Sequence, residues 1–227
     1  MLSQQPSFAE VGYWDMRILP LGERACLLSD LGARAHEVAR AIEALAPEGM
    51  EEVVASFDSV GVYFDPDVFR LESLDQPLSL SREASRDATE HVIPVCYALG
   101  EDLEEVAERL RTSPAEVARI HAEGRYECLA IGFCPGFPYL GPLPAPLAGL
   151  PRRPEPRPRV DAGAVGMTGN VTGIYTLDRP GGWWLIGRTP LQLVDVASDY
   201  FPIAVGDFVR FQAIDEGAFE RLRGSRL

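Results

Sequence analysis

Lysine is absent: every one of the 21 basic residues among the 227 is arginine. That excludes a phosphate-loop lysine, a Schiff-base lysine and a biotinylated lysine on this chain. Histidine is scarce, with only His36, His91 and His121, and the four cysteines (Cys26, Cys96, Cys128, Cys134) form no CxxC pair. Neither set has zinc-site spacing, so no metal is expected and the thiols read as reduced and buried. Long apolar runs are missing too; none approaches the roughly 20 residues a membrane span needs. The opening MLSQQPSFAE has no basic n-region and no apolar core, so no signal peptide is expected. Positive charge is also in short supply, with 21 basic against 34 acidic residues and a net charge of −13. Such a balance repels phosphate backbones and anionic lipid, arguing against nucleic-acid and membrane partners. A cytoplasmic protein is the expectation.

What is present reads as two domains. YWDMRILP (13–20) and RACLLS (24–29) predict a hairpin, and residues 32–46 a helix with Val38, Ala41, Ile42 and Leu45 on one face. MEEVVASF and SVGVYF predict two more strands, and PDVFRLESL (66–74) a short amphipathic helix. Together these make a small two-layer α+β domain over 1–80. Apolar periodicity vanishes between Asp75 and Glu90, and the linker is placed at 81–90.

The second domain spans 91–227. HVIPVCY resumes as a strand, then EDLEEVAERLR and SPAEVARIHAEG predict an αα-hairpin, with Ser113 as N-cap and Pro114 at N1. A DNA-reading helix-turn-helix is ruled out by its charge: Glu101, Asp102, Glu104, Glu105 and Glu108 would face the phosphates. RYECLAIGF, AVGMT, GIYTL, GWWLIG, LQLVD and DFVRF predict short strands, and their close spacing suggests a β-barrel. DEGAFERLRGSRL reads as a final helix.

Between Gly132 and Thr189 the composition changes. These 58 residues hold 11 of the 21 glycines and 10 of the 19 prolines. Six arginines against Glu155, Asp161 and Asp178 leave +3, so the rest of the chain carries −16. An arginine-rich, aromatic-flanked loop system on an acidic protein points to a pocket for a small anionic substrate. The candidate binding residues are Phe133, Phe137, Tyr139, Arg152, Arg153, Arg159, Thr172, Tyr175, Trp183, Arg188 and Thr189. No catalytic nucleophile or base is assigned; Cys134 lacks a neighbouring histidine in the sequence, and packing is its default role.

IPVCY (93–97), DLEEVA (102–107), IHAEGRYE (120–127), IGFCPGFPYLGPLP (131–144), PRRPEPRPRVDAG (151–163), TGIYTLDRPGGWWLIGRTP (172–190) and VGDFVRF (205–211) carry a family resemblance. The chain resembles the 5-oxoprolinase B-subunit (PxpB) proteins, also described as KipI kinase inhibitors and allophanate hydrolase subunit 1. The resemblance implies an α+β N-terminal domain followed by a cyclophilin-like β-barrel. It also implies an ATP-dependent opening of 5-oxo-L-proline to L-glutamate, with this chain inactive alone. The partners implied are a KipA-like C component (allophanate hydrolase subunit 2) and a LamB/YcsF-like A component. ATP is used by the assembled complex, and neither a metal nor biotin is expected on this chain. Carboxyl transfer to urea or a related amide, and inhibition of a sporulation histidine kinase, are the alternatives within the family. The family usually has proline where Asp161 stands and glutamine where Val171 stands.

Overall fold

The computed structural model describes residues 16–75 and 88–227. It divides into two compact units, Met1–Arg86 and Asp87–Leu227. Residues 13–15 of the expected hairpin and most of the expected linker lie outside the described residues.

In the smaller unit four strands form an antiparallel sheet: β1 (Arg17–Pro20), β2 (Ala25–Ser29), β3 (Met50–Ser56) and β4 (Ser59–Phe64). The order is β1-β2-β4-β3. Alternation explains which face is buried, since Val60 and Val62 on β4 point inward with Cys26 and Leu28 on β2. Helix α1 (Ala35–Leu45) covers that face with Ala35, Val38, Ala39 and Ile42. Leu45, expected on the same stripe, is exposed, because the helix ends there in a left-handed cap at Ala46. The expected helix over 66–74 is instead a turn followed by a short 3-10 helix, Leu71–Leu74. Asp65 accepts the Phe69 N–H on its carbonyl and the Asp67 N–H on its side chain, so the polar turn competes with a helical start.

The larger unit holds the remaining strands. These are β5 (Glu90–Val95), β6 (Arg125–Ile131), β7 (Pro138–Gly141), β8 (Arg157–Val160), β9 (Ala164–Thr168), β10 (Val171–Ile174), β11 (Arg179–Gly181), β12 (Trp184–Arg188) and β13 (Phe208–Ala213). A continuous ladder runs β5-β13-β6-β7-β10-β9-β12, parallel only between β5 and β13. No ladder joins β12 back to β5, so the described sheet is not a closed barrel. The two ends meet at a single bridge, where Cys96 and Arg188 exchange both backbone bonds, at 2.8 and 3.0 Å. Strands β8 and β11 pair separately.

The αα-hairpin forms as expected: α2 (Leu103–Leu110) and α3 (Pro114–Glu123) bury Val106, Ala107 and Val117 against the sheet. The Ser113 hydroxyl caps α3 by accepting the Glu116 N–H at 3.2 Å. The Glu116 carboxylate turns outward to Arg119, so the reciprocal half of the cap is not made. Helix α4 (Glu216–Leu222) closes the chain and buries Phe219. LQLVD makes no ladder strand; it contributes isolated bridges and buries Leu193 and Val194.

Candidate functional site

Four prolines (Pro151, Pro154, Pro156, Pro158) remove donors from the segment entering β8, which precludes a helix and confines the strand to an edge. Such a strap needs fastening by other bonds. The Trp184 indole N–H donates to the Pro151 carbonyl at 2.7 Å, and the Arg153 N–H to the Gly182 carbonyl at 2.8 Å. The rest comes from Asp102, a buried carboxylate just before α2. Its Oδ1 accepts from Arg153 Nη1 at 2.8 Å and Arg157 Nη2 at 2.6 Å, while Oδ2 accepts the Leu185 N–H at 2.7 Å. Arg153 is thus committed to the protein's own carboxylate, with its guanidinium over the Trp184 ring. Arg159 lies at the surface, paired with Asp161 at 3.0 Å and Asp178 at 2.6 Å. Asp102, placed by its sequence among solvated helix acids, is in fact the node that holds the strap. Arg157 is its other unanticipated member.

Arg152 behaves differently. Pinned neighbours hold its backbone, yet its exposed guanidinium has neither hydrogen bond nor ion pair among the described residues. It stands near Tyr139 and Tyr175. Burial raises both phenols above their ordinary range, and the Arg152 charge opposes that shift in each.

The aromatic candidates come together as a cluster. Phe137 is buried at its centre and meets Tyr139 at 5.0 Å, Trp183 at 5.3 Å, Phe133 at 5.3 Å and Tyr175 at 5.4 Å, all edge-on. Gly173 makes room for it; a Cβ there would stand 3.0 Å from the Phe137 ring. Cys134 also packs here. Thr176 Oγ1 donates to the Pro135 carbonyl at 2.7 Å, so the thiol 3.5 Å away is left as donor to Thr176.

A cleft of about 220 Å³ opens beside this cluster. Its walls are Gly163, Tyr175, Thr176, Arg188 and Thr189 on one side, with Phe219, Arg223 and Gly224 from the C-terminal segment on the other. The sequence candidates Tyr175, Arg188 and Thr189 line it; Trp183 and Phe137 do not. Arg188 donates to the Ala162 carbonyl at 3.0 Å, and its Nη1 stands 3.6 Å from Asp161. Those contacts leave guanidinium N–H groups for a ligand. Gly163 is required at the mouth, since its φ is +88° and a Cβ would meet the Thr189 carbonyl at 2.6 Å.

Thr172 is fully buried and faces another way, into a network that the isolated position of His121 in the sequence does not reveal. Thr172 Oγ1 donates to the Gly166 carbonyl at 2.9 Å and therefore accepts from His121 Nε2, also at 2.9 Å. The other ring nitrogen, Nδ1, then accepts the Tyr97 hydroxyl at 2.7 Å. The imidazole stacks on Phe211 at 4.5 Å, and burial lowers its pKa to about 3. A neutral, fully bonded histidine in a core is a structural element rather than a proton donor.

Residues 16–203 match the family described as carboxyltransferase domain, subdomain C and D. The B subunit of the Bacillus subtilis 5-oxoprolinase is 38% identical over 201 residues, 80% of this chain and 82% of that protein. The chain belongs to the 5-oxoprolinase B-subunit family. The corresponding protein of Haemophilus influenzae is 37% identical over 86% of this chain and 97% of its own length. Among solved structures TTHA0988 superposes with a TM-score of 0.73 at 37% identity, covering 85% of this chain. This chain spans only 40% of TTHA0988. The urea amidolyase of K. lactis, 20% identical with a TM-score of 0.68, shares the fold over 15% of its length.

Proposed function

We propose that this chain is the B subunit of an ATP-dependent 5-oxoprolinase that opens 5-oxo-L-proline to L-glutamate together with a LamB/YcsF-like A component and a KipA-like C component. Family membership carries the reading, and the Arg188 cleft is consistent with it. The substrate has one carboxylate and one lactam ring. Arg188 holds the carboxylate, Tyr175 and Phe219 flank the ring, and Thr176 and Thr189 supply polar atoms beside it. Ring opening breaks the lactam C–N bond, adds a water oxygen to the carbonyl carbon and leaves a free amine. An unactivated amide resists this, so ATP hydrolysis supplies the driving force. The sequence has no phosphate-loop lysine, and the nucleotide is assigned to the assembled complex rather than to this chain alone. We read the larger unit as cyclophilin-like, its curled sheet drawn together at the Cys96–Arg188 bridge, and the complex as cytoplasmic.

The carboxyltransferase description of the family supports a second reading, carboxyl transfer to an amide from biotin carried on another chain. Purification with the A and C components, followed by an assay of glutamate release from 5-oxoproline and ATP, decides between them. We expect release only when all three are present. Turnover by this chain alone overturns the multi-component reading. Carboxyl transfer without glutamate release favours the second.

A further inference from the structure

The two threonines of the cleft wall are committed in opposite senses. Thr189 is 3% exposed, and its Oγ1 accepts the Leu191 N–H at 3.3 Å. Its own hydrogen meets no acceptor among the described residues, so Thr189 brings an uncommitted donor to the cleft. A buried donor left unmade is costly, and a bound acceptor relieves that cost. Thr176 is the reverse case. Its hydrogen goes to the Pro135 carbonyl at 2.7 Å, and the Cys134 thiol takes one lone pair at 3.5 Å. Only accepting capacity remains there.

Gly163 joins the backbones that carry them. Its N–H donates at 2.7 Å to the carbonyl of Tyr175, the residue before Thr176, and its carbonyl accepts the Thr189 N–H at 2.8 Å. The Cβ it lacks would stand 2.6 Å from the Thr189 carbonyl and 3.7 Å from Arg188 Nε. Arg188 is fixed in turn by both backbone bonds to Cys96. A donor, an acceptor and a guanidinium thus sit on adjoining backbone around one small cleft. That set matches one class of amide. Open-chain secondary amides are almost always trans, with C=O and N–H pointing opposite ways. A five-membered ring forces the cis form, which presents both groups along one edge.

We propose that Thr189 and Thr176 read the cis amide of the substrate: the Thr189 hydroxyl donates to the ring carbonyl oxygen, and Thr176 Oγ1 accepts the ring N–H. With Arg188 on the carboxylate, the cleft selects lactam acids against lactones of the same shape and against N-acylated amino acids. A lactone turns a ring oxygen toward Thr176, lone pair against lone pair. The proposal deepens the 5-oxoprolinase reading and rests on it for the identity of the ring.

The test is an NMR titration of the full chain with 5-oxo-L-proline, with the lactone that has a ring oxygen in place of the N–H, and with N-acetyl-L-alanine. Wild type should prefer the lactam to either analogue by at least about tenfold. Thr176→Val should bring lactam and lactone within about twofold of each other, while Thr176→Ser keeps the preference. Thr189→Val should weaken both ring compounds alike, by about fivefold to tenfold, because both retain the carbonyl; Thr189→Ser should stay near wild type. General damage to the fold would not split the probes in this way. Equal affinity of wild type for lactam and lactone overturns the proposal, and needs no variant to fold. So does a lactam preference that survives Thr176→Val, or a chain that does not bind 5-oxo-L-proline. Binding is read without the other components. A chain that discriminates as described, in a complex that releases no glutamate, therefore sinks the 5-oxoprolinase reading alone.

Discussion

Arg153 Nη1 lies 2.8 Å from Asp102 Oδ1, a contact between residues 51 positions apart that ties the proline-rich strap to the start of α2. Arg157 shares the same oxygen, and the Leu185 N–H takes the other. Removing the carboxylate takes the nearest partner from two partly buried guanidiniums, which keep only the more exposed Glu105 (3.5 Å) and Glu101 (3.3 Å), and leaves one buried amide unpaired. Asp102→Ala should cost about 3–5 kcal/mol in denaturant unfolding, and Asp102→Asn less, since its amide oxygen can still accept from Leu185. A loss under about 1 kcal/mol for the alanine variant would mean that the strap is held elsewhere.

His121 makes stability depend on pH with a definite sign. Its folded pKa of about 3 lies below the ordinary 6.5, so between those values the unfolded chain binds the extra proton. The contribution is complete above pH 6.5 and is lost as pH falls toward 3. Carboxylates titrate in part of this range, so the informative quantity is a difference. The melting temperature of wild type should fall more steeply between pH 6.5 and 4 than that of His121→Gln. Parallel curves would show that the histidine does not titrate on unfolding.

Gly100 approaches β12 closely. A Cβ there would stand 2.3 Å from both the carbonyl carbon and the oxygen of Ile186. Backbone cannot rotate away as a side chain can, and Gly100→Ala should destabilise by roughly 1–3 kcal/mol or more. Gly149→Ala is no neutral control, because its φ of +95° is strained for alanine even though the space is open. A thermal melt of Gly100→Ala matching wild type would contradict the packing described here.

Much of the fold was legible because it rests on local signals. The β1–β2 hairpin, α1 and the α2–α3 pair follow from apolar spacing, and the Ser113–Pro114 start from capping chemistry. β7 was not legible. Pro138–Gly141 sits among prolines and glycines that read as loop, and only pairing with β6 and β10 makes it a strand. Of the site, the aromatic cluster and the Arg188–Thr189 wall were visible as composition. The roles of Asp102, Arg157 and His121 were not, since each depends on partners many positions away. The second cleft wall, Phe219 to Gly224, comes from a tail whose sequence reads as an ordinary final helix.

Asp161 lies 3.6 Å from the Arg188 guanidinium at the mouth of the cleft. It is half-exposed, so its hold is weak. Asp161→Asn should lower the KM for 5-oxoproline in the assembled complex by about twofold to fivefold, by releasing Arg188 and removing a like charge from the substrate's approach. A raised KM would show that Asp161 orients the arginine instead.

The most direct test of the cleft is the KM for 5-oxoproline of the reconstituted complex with Arg188→Met. A charge-assisted bond to the substrate carboxylate contributes about 1.5–3 kcal/mol, so KM should rise at least about tenfold. Assembly and melting temperature should stay near wild type. An unchanged KM in a folded, assembled complex would place the substrate somewhere other than the Arg188 cleft.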